Sequence, residues 1–142
     1  MLNLGYLGTS LPPSEPVEVT ADAVRKFAAS LNLPDAGQTD MAPPTFVFTV
    51  TLPAADPLFD DPEFGLDFSR VLHREQRFSY ARPVRVGDWL TCVVVVDSIK
   101  SVAGNELLAL RTDVTDGDDE VVASVFTTLF VAGDAVEEGD DG

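Results

Sequence analysis

The sequence contains few of the residues that hold metal ions or form disulfides. Its 142 residues include one cysteine, Cys92, and one histidine, His73. A single cysteine cannot close an internal disulfide, and one cysteine with one histidine cannot supply the clustered ligands of a structural zinc site. We therefore expect neither a disulfide nor a metal site.

Long apolar runs and basic residues are also scarce. No run of 18 or more apolar residues is present, and the opening MLNLGYLGTSLPPSEP lacks the charged and apolar regions of a secretory signal. Nine Lys and Arg stand against 24 Asp and Glu, a net charge of −15, which opposes binding to a phosphate backbone. The sequence predicts a cytoplasmic protein that binds neither membranes nor nucleic acids.

Apolar residues are plentiful enough for one core. They make up 45% of the chain, and the length suits a single domain. The last ten residues, GDAVEEGDDG, include five acidic side chains and little apolar material to bury. We expect a domain over residues 1–132 and an acidic, disordered tail over residues 133–142.

Hydrophobic periodicity predicts an α+β fold. Apolar residues at helical spacing predict a helix over residues 21–31, with Thr20 as its N-cap. Alternation predicts a strand over residues 72–82, and three further strands follow in WLTCVVVVDSIK, ELLALRTDVT and VVASVFTTLFV. Valines on both faces of residues 93–96 indicate a sheet that is covered on both sides. A helix could cover one side, and a second copy of the sheet the other.

The segment TFVFTVTL, residues 45–52, is ambiguous. Its β-branched and aromatic residues favour a strand, whereas the preceding DMAPP suits the start of a helix. Propensity alone favours the strand. The next segment, PAADPLFDDPEFGLD, has three prolines and predicts a loop with single turns at most.

His73 and Glu75 form the first candidate acid/base pair. Residues i and i+2 of a strand share a face about 7 Å apart, close enough to bracket a small substrate. The alternative, which the residues by themselves favour, is a surface histidine near a carboxylate, since no third residue is identified to orient the pair.

Five arginines lie close together in this acidic chain. A local reversal of charge suggests recognition of an anion, such as a phosphate of coenzyme A or of a phosphopantetheine arm, or of an acidic carrier protein. Pairing with the chain's own Asp and Glu is the alternative, and both interpretations stay open. The five are Arg70, Arg74, Arg77, Arg82 and Arg85.

Several segments, taken together over roughly residues 3–131, resemble the N-terminal MaoC-like dehydratase family. They are the helix VTADAVRKFAASL, then APPTF, then LHREQRFSYARPVRVGDWLT, and finally the hairpin around GNELL. The resemblance implies a hot dog fold, in which an antiparallel sheet wraps around a central helix and two such units dimerise into a double hot dog. It therefore implies that TFVFTVTL is helical, against its propensity.

The resemblance also implies a role, because the sequence is similar to the accessory subunits of actinobacterial (3R)-hydroxyacyl thioester dehydratases. Catalytic relatives carry an Asp and a His spaced as Asp-x-Asn-x-x-x-x-His, and the corresponding SLNLPDAGQTDMAPP has no His. The expected role is therefore a substrate-shaping subunit in fatty acid or polyketide biosynthesis, whose catalytic pair lies on a partner hot dog chain.

Elimination of water requires no cofactor, so none is expected beyond the phosphopantetheine of an acyl carrier protein (ACP), or the coenzyme A, that carries the substrate. The resemblance places Thr45, Phe46, Leu72, Phe78 and Tyr80 along the acyl tunnel. Two alternatives remain. One is a stand-alone homodimeric dehydratase or thioesterase that uses His73 or Glu75, and the other is a non-enzymatic module that binds acyl thioesters.

Overall fold

The computed structural model describes residues 1–32 and 40–133. Within these ranges it contains five strands, three α-helices and two single 3-10 turns. In chain order the strands and α-helices are β1 (Val17–Glu18), α1 (Ala21–Ser30), α2 (Phe48–Ala54), α3 (Asp56–Phe59), β2 (Val71–Tyr80), β3 (Trp89–Val102), β4 (Asn105–Thr115) and β5 (Val121–Val131); the 3-10 turns span Leu4–Tyr6 and Phe68–Arg70.

All five strands form one antiparallel sheet in the order β1-β3-β4-β5-β2. The predicted meander is confirmed in β3, β4 and β5, which follow one another in sequence and in space. The strand predicted over residues 72–82 is β2, and it begins and ends slightly earlier than expected. Since β2 is at one end of the order, it pairs with β5 alone within the described residues.

The chain's N-terminal segment covers the second edge of β3. The backbone N–H groups of Gly8, Leu11 and Ser14 each donate to a carbonyl oxygen of β3 over 2.8 Å. These bonds continue the line of β1 along the strand. An edge strand that is covered in this way has fewer free backbone groups to pair with another chain.

Helix α1 forms as the sequence predicts. The Thr20 hydroxyl accepts a hydrogen bond from the Ala23 N–H (3.1 Å), which satisfies one of the free donors of the first turn. Val24 and Ala28 are buried on the side that faces the domain. The helix ends at Ser30, one residue before the predicted end.

Helix α2 confirms the helix that the resemblance implies, and it contradicts the strand that propensity favours. Turns lead into the helix, which begins at Phe48. Burial explains the outcome, because Val47 and Val50 are 0% and 7% exposed and pack in the core beneath the sheet. Apolar contact of this kind outweighs the small helical penalty of β-branched residues. The proline-rich segment that follows contains the single-turn helix α3, as expected.

The inner face of the sheet is packed and the outer face is half open. On β3, Val94 and Val96 are 1% and 2% exposed, whereas Val93 and Val95 are only half-buried. The expected cover on both faces is therefore not found within the described residues. A curled antiparallel sheet with a helix on its inner face is the hot dog architecture; dimerisation stays a prediction.

Two further expectations concern the acidic tail and membrane-spanning helices. The acidic tail lies outside the described residues from residue 134 onward. Across the described part of the chain, no helix has both the length and the apolar character needed to cross a membrane.

Candidate functional site

A cleft of about 590 Å³ opens between α2 and β2. Apolar side chains make most of its wall, with a few polar groups among them, which is the usual composition of a small-molecule site. Its lining residues are Phe27, Thr45, Phe48, Thr49, Leu52, Pro53, His73, Gln76 and Phe78. This surface is called the α2–β2 cleft below.

A β-bulge decides which residues of β2 reach the cleft. His73 pairs with Leu129 of β5, and Glu75 pairs with the adjacent Thr128, so Arg74 is an extra residue without a partner in the register. A bulge breaks the strict alternation of side chains along a strand. His73 lines the cleft, whereas Glu75 lines a different depression beside Arg77. The expected pair of His73 and Glu75 on one face is therefore wrong.

In place of a carboxylate, His73 contacts a carboxamide. The His73 Nε2 lies 2.9 Å from the Gln76 Oε1, and the same oxygen accepts a hydrogen bond from the Thr127 hydroxyl over 3.0 Å. The His73 ring also lies beside the Phe48 ring, with centroids 5.8 Å apart. The Gln76 Nε2 is buried and has no hydrogen-bond partner among the described residues. No Asp or Glu lines this cleft in the described part of the chain.

Sequence reasoning missed Gln76. Simple alternation along β2 gave no reason to place it beside His73, since three residues separate them only where a bulge intervenes. A bulge depends on the register with β5, a strand about 50 residues later in the chain, and one sequence gives no direct signal of that register.

The five predicted tunnel residues divide among four locations. Thr45 and Phe78 line the α2–β2 cleft. Phe46 is 4% exposed and packs in the core with its ring edge-on to Phe27, at 5.6 Å between centroids. Leu72 is 66% exposed and does not line the cleft.

Tyr80 belongs to a second cleft, of about 400 Å³, on the other side of the approach to α2. Its hydroxyl donates to the Pro44 carbonyl oxygen, and its ring stacks on Phe78 at 6.3 Å between centroids. Burial raises the pKa of Tyr80 to about 12. The side chain therefore ties the end of β2 to the segment that leads into α2, between the two clefts.

Arg82 is held by two carboxylates. It donates to Asp88 over 2.9 Å and 3.2 Å and to Asp116 over 3.1 Å. Burial alone would raise the pKa of Asp88, but hydrogen bonds from Arg82 and from the Arg85 N–H outweigh it and hold that pKa below its usual value. Backbone N–H groups and Arg82 lower the pKa of Asp116 likewise. This arginine joins the turn before β3 to the turn after β4.

The other four arginines are spread over the surface. Arg70, Arg77 and Arg82 line three different depressions, so the group does not share one pocket. Recognition of an anion stays a prediction for the group as a whole. The contacts of the four are Arg70 with Asp67 at 3.3 Å and with the Gly133 carbonyl at 2.6 Å, Arg85 with Asp40 at 4.0 Å, Arg77 over the Phe126 ring at 4.4 Å, and Arg74 exposed at the bulge.

Comparison with known sequences identifies the family. Residues 6–125 match the family described as FAS1-like, dehydratase domain region. A UPF0336 protein of Streptomyces avermitilis is 41% identical over 150 residues, covering 97% of this chain and 99% of that protein. A UPF0336 protein of Thermobifida fusca is 41% identical over 146 residues, covering 94% and 96%.

Two solved structures with the same fold are described as dehydratases. A chain of the C-terminally truncated HadBC complex of Mycobacterium tuberculosis, a 3R-hydroxyacyl-ACP dehydratase, superposes with a TM-score of 0.76 at 22% identity over 88% of this chain and 96% of that chain. A MaoC-like dehydratase gives 0.78 at 26% identity over 94% of this chain, which spans about half of that protein (44%). With its hot dog architecture and its match over residues 6–125, the chain belongs to the MaoC-like family of FAS1-like dehydratase regions.

Proposed function

We propose that this chain is the accessory, substrate-shaping subunit of a heteromeric 3-hydroxyacyl thioester dehydratase. The observation that carries the proposal is the α2–β2 cleft, which has the size and apolar lining of an acyl site but no described carboxylate. Family membership supports a dehydratase-type role, and the missing acid/base pair argues that the chemistry comes from another chain.

The reaction makes two demands that this cleft does not meet by itself. A base must take the α-proton, and an acid must protonate the β-hydroxyl so that it leaves as water and a trans-2-enoyl thioester remains. His73 is the histidine available, and its Nε2 is engaged with the neutral Gln76 carboxamide. Because no carboxylate among the described residues of the cleft orients it or shares the proton transfer, His73 is poorly equipped for both steps.

The cleft does have what is needed to select an acyl chain. Phe48, Leu52 and Phe78 form a wall of large apolar side chains, and methylene groups buried against such a wall each contribute about 0.8 kcal/mol. The extent of this apolar wall therefore limits the chain length that fits. In this role the subunit changes specificity without taking part in bond breaking.

The free edge of β2 offers a surface for the partner subunit. Within the described residues β2 pairs with β5 alone, so its second edge can extend the sheet into another hot dog chain. The HadBC structure is itself a complex. A heterodimer would bring the catalytic pair of the partner close to the α2–β2 cleft, and a homodimer is the alternative assembly.

The carrier is proposed to be phosphopantetheine on an acyl carrier protein, or coenzyme A. Of the five arginines, Arg74 stands next to His73 on the bulge and is exposed, so it is the best placed to meet a carrier phosphate at the cleft mouth. The proposed elimination is redox-neutral and requires no further cofactor.

A stand-alone homodimeric enzyme is the second candidate, because His73 does line the cleft. In that mechanism His73 would act as the base after releasing Gln76. A single set of assays separates the two candidates.

The test compares the purified chain alone with the chain co-expressed with a hot dog subunit that bears the Asp/His pair. Formation of the enoyl thioester from a 3-hydroxyacyl thioester is followed by ultraviolet absorbance. We expect turnover only when both chains are present. Replacing His73 with Ala in this chain should leave that turnover intact, whereas replacing the partner's own histidine should abolish it. Turnover by the chain alone that disappears with His73→Ala would establish the homodimeric enzyme instead.

A further inference from the structure

We propose that the Gln76 carboxamide recognises an oxygen atom carried within the acyl chain, so that the α2–β2 cleft selects hydroxylated or keto-bearing chains over plain alkyl chains. The inference rests on the proposed function, since it takes the cleft to be the acyl site. Acyl chains that carry such an oxygen are a substrate class that the aliphatic and aromatic residues of the cleft would not predict.

The two ends of the carboxamide are used unequally. Its Oε1 is doubly engaged, with the Thr127 hydroxyl at 3.0 Å and the His73 Nε2 at 2.9 Å. Its Nε2 has no partner among the described residues, although the atom is closed off from solvent. In this orientation of the carboxamide both partners contact its oxygen, and the donor end is left over.

An unpaired buried donor is unfavourable. Such a group costs about 1–3 kcal/mol relative to one that is hydrogen-bonded. The strand could avoid this cost with an apolar residue, because the neighbouring Phe78 on the same wall is apolar. A buried donor next to a cleft is suited to donate a hydrogen bond to a polar atom of a ligand.

The ligand atom that suits this donor is an oxygen acceptor. Both a hydroxyl and a carbonyl oxygen accept from an amide N–H, whereas a methylene leaves the donor unpaired. In the bound state the oxygen displaces the atoms that shield Nε2 from solvent. A second polar residue of the cleft, Thr49, differs in this respect, because its hydroxyl already donates to the Phe46 carbonyl oxygen over 2.8 Å.

The 3-hydroxyl group is common to every substrate of the proposed reaction, so it cannot distinguish one acyl chain from another. His73 and Gln76 lie on β2, across the cleft from Thr45 at the approach to α2. The selected oxygen is therefore proposed to be one beyond the 3-hydroxyl group that leaves as water. A chain that already bears an oxygen function would be the preferred substrate.

The test uses N-acetylcysteamine thioesters of decanoate and of decanoates that carry a single hydroxyl at each carbon from the fifth to the tenth. Dissociation constants are measured by isothermal titration calorimetry with the full chain and with Gln76→Met, which keeps the shape of the side chain but removes the donor. The quantity of interest is the preference for each hydroxylated probe over decanoyl in the wild type, divided by the same preference in the variant. This ratio cancels the lower hydrophobicity of the hydroxylated probes.

We expect the ratio to reach about fivefold to tenfold at one or two adjacent carbons and to stay near one at the others, the size of effect of one hydrogen bond. Thr9→Val, the matched change of a threonine whose hydroxyl donates to the Tyr6 carbonyl oxygen outside the cleft, should leave the preference at its wild-type value. If Gln76→Met does not fold, Gln76→Leu serves, because it also removes the donor without introducing a charge beside His73.

Equal preferences in the wild type and both Gln76 variants, with decanoyl still bound, would overturn this inference and leave the proposed acyl cleft intact. Failure of every thioester to bind the folded chain, both alone and co-expressed with the hot dog partner, would overturn both.

Discussion

Strands β2 and β3 belong to the same sheet, yet they are packed differently. Alternate residues of β3 are almost fully buried, and Leu90, Cys92, Val94 and Val96 are all at most 2% exposed. On β2 the corresponding inward positions, Gln76, Phe78 and Tyr80, are only half-buried.

The difference arises from what covers each strand. Helix α2 packs against β3, and the chain's N-terminal segment closes the edge of that strand. Strand β2 has an open edge within the described residues and faces the cleft. Close packing of side chains stabilises the fold, whereas an open cleft lined by apolar side chains is available for a ligand. The comparison therefore separates the residues that stabilise the fold from those that select a substrate.

The largest expected effect is a loss of stability when a leucine of β3 is truncated. Leu90→Ala removes a side chain that is 0% exposed and leaves a cavity in the core, which is expected to lower the free energy of unfolding by about 3 kcal/mol. Leu72→Ala makes the same change on β2, where the side chain is 66% exposed, and is expected to cost about 0.5 kcal/mol or less.

Urea unfolding followed by circular dichroism measures both variants under one set of conditions. Similar losses for Leu90→Ala and Leu72→Ala would show that β2 is as tightly covered as β3, and the comparison of the two strands would fail.

Chemical protection of Cys92 reports the same packing. This thiol on β3 is 1% exposed, and burial raises its pKa to about 11, even though its hydrogen bond with Ser14 acts in the opposite direction. Since the thiolate is the reactive form, the native protein should react with Ellman's reagent about a hundredfold more slowly than the urea-unfolded chain. Reaction at the unfolded rate would show that β3 opens readily to solvent.

The sequence predicted the parts of this fold that depend on local pattern. Thr20 and the apolar spacing after it define α1, and the alternation of β3 to β5 defines the meander. Local pattern failed for α2, because propensity favours a strand there and burial of Val47 and Val50 decides the outcome. The resemblance to a known family corrected that error before the structure did.

The candidate site was less accessible to sequence reasoning. His73, Thr45 and Phe78 were identified and do line one cleft, but Gln76 was missed and Glu75 was misplaced. Both errors have one physical cause, the bulge at Arg74, which depends on pairing with a distant strand. The arginines were visible as a cluster in sequence, yet the fold distributes them over separate depressions.

Acid stability tests the link between the two strands, since Arg82 follows β2 and Asp88 precedes β3. The pKa values of Asp88 and Asp116 in the folded protein lie below the ordinary 3.8. Their contribution to stability is therefore complete above about pH 3.8 and is lost as the pH falls through the lower, folded-state values. Arg82→Met removes the shared cation and should lower the free energy of unfolding at neutral pH.

The difference in stability between wild type and Arg82→Met should shrink steadily below pH 3.8, because protonated carboxyls no longer gain from the cation. Arg25→Met is the matched control, since Arg25 pairs with Asp22 on the exposed surface of α1 and its loss should change little at any pH. A difference for Arg82→Met that is constant from neutral to acid pH would mean that the carboxylates do not depend on this arginine.

A smaller effect than that of Leu90→Ala is expected at the contact between β2 and the approach to α2. Tyr80→Phe removes the hydroxyl that donates to the Pro44 carbonyl oxygen and keeps the ring that stacks on Phe78. Loss of one such hydrogen bond is expected to lower the free energy of unfolding by about 1 kcal/mol.

An alkaline absorbance titration gives an independent check. Burial raises the pKa of Tyr80 to about 12, and a hydrogen bond to Asp61 with partial burial raises the pKa of Tyr6, the chain's other tyrosine, to about 12 as well. Neither should ionise near pH 10 in the native wild type, so an ionisation near pH 10 that Tyr80→Phe removes would show that Tyr80 is open to solvent. In that case the wall between the two clefts would be looser than the rest of β2, and selection by the α2–β2 cleft would depend on the partner chain that closes over it.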